Sequence, residues 1–298
     1  MARSELKVLL AHFRKAVWLA LEHDVLNTAK AVAYSGMLMM FPMLVAITAL
    51  LAIAPAGTTL LGEIRSAFEQ FLPADTMYLV QSSMQGHRLF PVQLVASSIA
   101  LGAIAGLGVM LSLMEGFRRS YRQPRHEWRF WERRLRALLL VPIALIPLAA
   151  ATLVLVFGRQ IELWLIHRVF HQLRPVVLLM WRLGRWGVAT ATSITVLAAV
   201  YHFGTRRGEH WLHVLPGAVG ATFVWFPATL TFGWYVTRIA NYSMFYGSFG
   251  AGIATLVWLY ISAFSVLLGA EFNGVLYRER RKLESGGRAD QIQESRIP

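Results

Sequence analysis

The chain has 298 residues, 56% of them apolar and 15% charged, whereas a soluble domain carries about 25% charged residues. That composition excludes an ordinary soluble enzyme, and no polar block is long enough to fold as a separate domain. The net charge of +13 would suggest a nucleic-acid partner in a soluble protein, but in a membrane protein it reflects basic loops facing the cytoplasm. Cysteine is absent, so disulfides, thiolate catalysis and Cys-ligated zinc or iron–sulfur sites are excluded.

Residues 1–30 open the chain with Leu6, Leu9, Leu10, Phe13, Val17 and Leu21 at helical spacing beside Arg3, Lys7, Arg14 and Lys15. This pattern suits a helix lying in the inner headgroup layer or packed over the rest of the chain. No small-residue cleavage site precedes the first long apolar stretch, so a cleaved signal peptide is not expected. A helix needs about 20 apolar residues to cross the hydrocarbon core. Six stretches meet that requirement, at 31–54, 92–114, 137–157, 183–203, 212–236 and 249–277. The expected fold is an all-α, polytopic membrane helical bundle of about six transmembrane helices with interfacial amphipathic helices. Its divisions are an N-terminal amphipathic segment (1–30), a six-span membrane domain (31–277) and a basic tail (278–298). Leu60, Leu61, Ile64, Phe68 and Phe71, closed by Pro73, form a second amphipathic stripe, and "RQIELWLIHRVFHQLRP" forms a less regular third.

With the N-terminus placed inside, 21 Lys and Arg residues fall on the inner side and 8 on the outer. This asymmetry predicts cytoplasmic N- and C-termini for a multi-pass membrane protein. It also absorbs the basic excess, so no nucleic-acid partner is expected.

Few side chains in the spans can carry chemistry. His167 and His171, and His210 and His213, have helical spacing but no acid or cysteine nearby to complete a site, so they read as interfacial or packing histidines. "HEWRF" at 126–130 lacks the second His of a zinc-protease motif, and no GxxxxGK[ST] occurs. No catalytic residue, metal site or cofactor is expected. "GAIAG" at 102–106 lets another backbone come close. Glu115 stands beside Arg118 and Arg119 at the end of span 2, where an interfacial salt bridge accounts for it. Glu271 lies well inside span 6, about 10 Å from Arg278 along a helix. An ionised carboxylate there must be paired, hydrated or protonated. Lys30 and Arg278 are its candidate partners, and it reads equally as a structural ion pair or as a coupling or substrate site. Pro42, Pro142, Pro147 and Pro227 are candidate kinks in the odd-numbered spans, and span 4 offers Thr190, Thr192, Ser193 and Thr195 at similar depth. Broken helices around a polar midplane can build a binding site, although ordinary helix packing uses the same residues and is the preferred reading.

The second half resembles the YihY/virulence factor BrkB family of bacterial inner-membrane proteins, formerly labelled ribonuclease BN. The residues that carry the resemblance are "LPGAVGATFVWFPATLTFGWYV" and "NYSMFYGSFGAGIATLVWLYISAFSVLLGAEFN", with a Tyr-Gly-Ser-Φ-Gly turn and a Gly-Ala-Glu-Φ-Asn ending. "AVAYSGMLMMFPMLVAI" in span 1 is similar to the family's opening helix. One departure is "YHFGTRR", where Gly204 stands near an expected proline. The resemblance implies a six-span, all-helical inner-membrane protein and places Gly269, Glu271 and Asn273 on the family motif. Glu271 and Asn273, with Thr192 and Ser193 from the hydroxyls of span 4, are the candidate substrate or coupling residues. The function expected is a transporter or lipid-handling protein acting on an unidentified small molecule or lipid, with membrane lipids as partners. A membrane scaffold is the alternative, and a ribonuclease the least favoured reading because the loops lack an acid/base or metal-ligand cluster.

Overall fold

The computed structural model describes residues 2–53, 92–124, 129–168, 174–205, 210–238 and 250–294. Among these it has seven helices and no strand: α1 (Ala2–Glu22), α2 (Val25–Ile53), α3 (Val92–Ser120), α4 (Phe130–Arg168), α5 (Arg174–Gly204), α6 (Trp211–Arg238) and α7 (Gly250–Glu294). Six are long and apolar enough to cross a membrane: Val25–Ala46, Val95–Ser120, Phe130–Ala151, Val177–Gly204, Trp211–Val236 and Gly250–Lys282. These match the six expected stretches, with boundaries moved by several residues. The all-α fold class is therefore as expected.

Helix α7 continues without a break past residue 277 to Glu294, so the basic tail is helical as far as it is described. Helices α2 and α4 run unbroken through Pro42 and through Pro142 and Pro147, and α6 does so through Pro227. Helix α4 takes in the first part of the third amphipathic segment, up to Arg168. Most of the Tyr-Gly-Ser-Φ-Gly turn, the stripe from Leu60 to Phe71, His171, and the His126–Glu127 pair lie outside the described residues.

Two helix ends carry unusual backbone. At the end of α1 the Asp24 N–H donates to Leu21 O at 3.3 Å, with Asp24 at φ 60°. At the end of α3 the Arg122 N–H donates to Arg119 O at 3.0 Å and the Gln123 N–H to Arg118 O at 2.9 Å. This is the bond pair of a Schellman ending, with Arg122 at φ 50° in the position glycine usually holds. Left-handed backbone costs an L-residue about 1–2 kcal/mol. Aspartate tolerates it better than arginine does.

The helices group into two compact units, described here separately. The first unit comprises Met1–Leu26, Met114–Val224 and Ser265–Pro298. Helices α4 and α5 pack along each other in it. The Gly-Ala-Glu-Phe-Asn-Gly run 269–274 is buried throughout, and its glycines, Phe272 and Asn273 meet different partners. Gly269 faces Gly217 of α6 so closely that a Cβ on either would meet the other's backbone carbonyl, and one on Gly274 would meet the Ser120 carbonyl. Phe272 stacks edge-on against Phe13 of α1, with centroids 6.1 Å apart. Asn273 accepts from the Gly217 N–H at 2.7 Å and donates to Val214 O at 2.9 Å. Tyr201, fully buried, packs edge-on to Phe117 at 5.2 Å and donates to Val266 O at 2.6 Å. Gly204 lies against the Phe117 ring, and Thr205 donates to Tyr201 O at 2.9 Å. A hydroxyl thus satisfies an α5 carbonyl at the point where the sequence departs from the family's proline.

The second unit comprises Asn27–Leu113 and Trp225–Phe264. Small residues bring its helices together: Gly102 of α3 sits against Met43 and Pro42 of α2, and Gly108 against Ser35. Gly102, in the "GAIAG" stretch, meets only side chains at ordinary contact distance, and the tighter contact is at Gly108, beyond that stretch. The Trp225 indole N–H donates to Ser262 Oγ at 2.9 Å.

Candidate functional site

The first unit contains a carboxylate with no solvent exposure, Glu271. Helix α7 carries it among apolar neighbours, Leu267, Leu268, Ala270 and Val275. Two side chains from other parts of the chain meet its Oε1. The Ser120 hydroxyl, in the last turn of α3, donates at 2.7 Å, and His23 Nδ1, at the corner after α1, stands 2.9 Å away. No partner among the described residues reaches Oε2, which is buried.

One proton held between His23 and Glu271 gives two arrangements with no net charge. With the proton on the imidazole, opposite charges face each other. With it on the carboxyl, both groups are neutral. Oε2 is the oxygen at which a proton can sit while Oε1 keeps both its bonds. Ser120 has a second acceptor, Gly116 O at 3.1 Å, so its single hydrogen has two destinations.

His23 also joins the buried carboxylate to an open basin. The basin has a volume of about 470 Å³ and is lined by Glu22, His23, Asp24, Arg118, Arg119, Arg122 and Gln123. The His23 side chain is 14% exposed and that of Glu271 0%. The imidazole therefore spans from the basin wall to the buried oxygen.

The wall is braced by ion pairs. Arg118 grips Glu115 with two bonds, Nε to Oε2 at 3.0 Å and Nη2 to Oε1 at 2.6 Å, and its Nη1 donates to Gln123 O at 2.9 Å. Arg119 and Arg133 each reach Glu115 at 3.4 Å. This is the salt bridge expected for Glu115. Arg119 also donates to His23 O at 3.4 Å, tying the basin wall to the corner that holds the imidazole.

The sequence-derived candidates are distributed as follows. Arg278 donates to Ser120 O at 2.8 Å, the backbone carbonyl of the same serine whose hydroxyl meets Glu271. Lys30 donates to Asn27 Oδ1 at 3.1 Å. Asn273 bridges to α6, as described above. On α5 the Ser193 hydroxyl bonds Ala189 O at 2.9 Å and that of Thr195 bonds Ala191 O at 2.8 Å, so these hydroxyls are spent on their own helix; Thr192 is half-buried beside them. His210 and His213 stand with ring centroids 5.7 Å apart. Among the described residues, no three His, Asp or Glu side chains are grouped as a metal site. Sequence reasoning missed His23 and Ser120. The available signal for His23 was the aspartate after it, a residue that tolerates the left-handed turn ending α1.

Several known proteins similar to this chain are named as membrane proteins. A family model described as Virulence factor BrkB matches residues 19–293. The ribonuclease-like protein YfkH of Bacillus subtilis (strain 168) is 29% identical over 265 residues, covering 87% of this chain and 92% of that protein. A UPF0761 membrane protein of Chromohalobacter salexigens is 26% identical over 283 residues, covering 94% of this chain and 66% of that protein. Another, from Alkalilimnicola ehrlichii, is 42% identical over 64 residues, covering 22% of this chain and 14% of that protein. No solved structure matches the chain significantly. With six apolar helices and a family match that takes in the corner at His23, the end of α3 and the 269–274 run, the chain belongs to the virulence factor BrkB family of multi-pass membrane proteins.

Proposed function

We propose that this protein is a transporter of the bacterial inner membrane in which Glu271 exchanges a proton with the cytoplasm through His23. The observation that supports this reading most strongly is a wholly buried carboxylate hydrogen-bonded to the one imidazole that lines an open basin. Buried ionisable groups are expensive in a membrane protein, and they mark ion and proton pathways. The 21-to-8 distribution of Lys and Arg supports an orientation in which the basin and both termini face the cytoplasm. Protonation changes what Glu271 presents to Ser120 and to the surrounding helices. A change of that kind can drive alternating access when a substrate binds.

The family's ribonuclease-like label needs a cluster of acids, bases or metal ligands. The basin offers a salt-bridged arginine wall in its place. The experiment is proton movement in proteoliposomes loaded with a pH-sensitive dye and given a small-molecule extract of bacterial cytoplasm. Wild type should move protons on addition of the extract and Glu271→Gln should not. A silent wild type, or equal movement by both proteins, contradicts transport coupled at Glu271 and favours a scaffold.

A further inference from the structure

Three residues of α7 converge on one residue of α3. Glu271 accepts from the Ser120 hydroxyl at 2.7 Å, and Gly274 lies so close to the Ser120 carbonyl that a Cβ there would strike it. Arg278 Nη1 donates to the same carbonyl at 2.8 Å. Their spacings of three and four put all three on one face of α7, and every one of these contacts lies within the first unit.

The ending of α3 makes that carbonyl available. The backbone bonds that close the helix run to the Arg118 and Arg119 carbonyls, and the Ser120 carbonyl next in line goes to Arg278. The hydroxyl of the same residue has two acceptors, Glu271 Oε1 at 2.7 Å and Gly116 O at 3.1 Å. The second is the bond a serine makes to its own helix four residues back, so the hydroxyl can leave Glu271 without losing a partner. What keeps it at the carboxylate is the placing of the Ser120 backbone, which Gly274 and Arg278 fix.

Stability alone does not explain Arg278. Its guanidinium is half-buried and is directed at a neutral carbonyl, and its Nη2 is buried with no partner among the described residues. A buried donor without an acceptor is destabilising, a cost that proteins retain where a side chain fixes the geometry of a site. We propose that Arg278 is a positioning residue for proton exchange at Glu271, a role that rests on the reading of Glu271 as a proton-exchanging group. By holding the Ser120 carbonyl it keeps the Ser120 hydroxyl on Oε1, which leaves Oε2 to carry the proton.

The test is the position of the Glu271 carboxyl C=O band in infrared difference spectra of the whole chain in lipid, recorded across a pH step and identified by its loss in Glu271→Gln. A hydrogen bond accepted by the carbonyl oxygen lowers the stretching frequency, so Ser120→Ala should move the band up. Arg278→Gln should move it in the same direction, because the hydroxyl then returns to Gly116 O. Arg278→Lys, which keeps the charge and a donor for the carbonyl, should move it less. The double variant Ser120→Ala/Arg278→Gln should shift no further than Ser120→Ala alone, whereas an arginine acting through its charge or through packing would add its own shift. If Arg278→Gln fails to fold, Arg278→Lys replaces it in the double variant with the same expectation. A band at the wild-type position in the Arg278 variants, or additive shifts in the double variant, overturns the positioning role and leaves proton exchange at Glu271 standing. A wild type with no Glu271 band overturns proton exchange itself, and the positioning role with it.

Discussion

Glu271 and Asn273 are two residues apart on α7 and bind opposite partners: Glu271 reaches His23 and Ser120, and Asn273 reaches the α6 backbone at Val214 and Gly217. Two residues along a helix turn the side chain by about 200°, given 3.6 residues per turn. A single turn of α7 therefore joins the α1 corner and the end of α3 on one side and α6 on the other. The polar residues of this motif have distinct tasks, which substitution can separate.

Glu271→Gln is expected to be tolerated better than Glu271→Leu. An amide oxygen still accepts from Ser120, whereas Leu leaves the Ser120 and His23 groups facing an apolar side chain, at about 1–3 kcal/mol. Melting temperatures of the purified variants check the order. Equal stability of wild type and both variants would show that the carboxylate anchors nothing.

Asn273→Ala removes both bonds to α6 and leaves the buried Gly217 N–H and Val214 carbonyl without that partner. The expected loss is about 1–3 kcal/mol per unsatisfied group. Proton exchange at Glu271 should survive in the folded fraction, which separates this residue's role from that of Glu271.

Gly269→Ala and Gly217→Ala each force a methyl into facing backbone. Backbone gives way less readily than a side chain, so both should sharply reduce folded yield. Gly184→Ala and Gly233→Ala meet nothing within 4 Å and should be neutral or stabilising by up to about 1 kcal/mol. Size-exclusion profiles of the four variants make the comparison; uniform behaviour would mean that the close approach of α6 and α7 does not limit folding.

The burial of Glu271 was legible in the sequence, because a carboxylate inside an apolar run has few places to go. So were the six spans and the salt bridge at Glu115, which local spacing determines. The partners of Glu271 were not legible. His23 closes an amphipathic stretch that leads almost directly into the first span, and nothing around it but Asp24 signals a left-handed corner. Ser120 lies in "EGFRRSYRQP", which reads as an interfacial end with no indication of which long-range neighbour it meets. For Ser193 and Thr195, spacing cannot tell a hydroxyl that faces a cavity from one returned to its own helix, and both bond the carbonyl four residues back.

Orientation rests on charge asymmetry and has a direct check. Reporter fusions at residues 70, 125, 170 and 208 should read outside, inside, outside and inside. An inverted reading at the first two positions would place the basin on the outer face and reverse the direction of proton entry.

Access to the basin can be read without background labelling, because the chain has no cysteine. His23→Cys should react with a membrane-impermeant thiol reagent applied from the cytoplasmic side, since a thiol reacts where it can ionise in water. Ser265→Cys, at a position 1% exposed, should not. Silence at position 23 in folded protein would close the proposed path.

Proton exchange at Glu271 is tested most directly by infrared difference spectroscopy of the protein in lipid, comparing spectra before and after a pH step. The predicted result is a carboxyl C=O band that appears on acidification, is absent from Glu271→Gln, and forms more slowly in His23→Phe, where the imidazole link to the basin is gone. A spectrum with no band lost on changing Glu271, or a band whose rate ignores His23, would contradict proton exchange by this route.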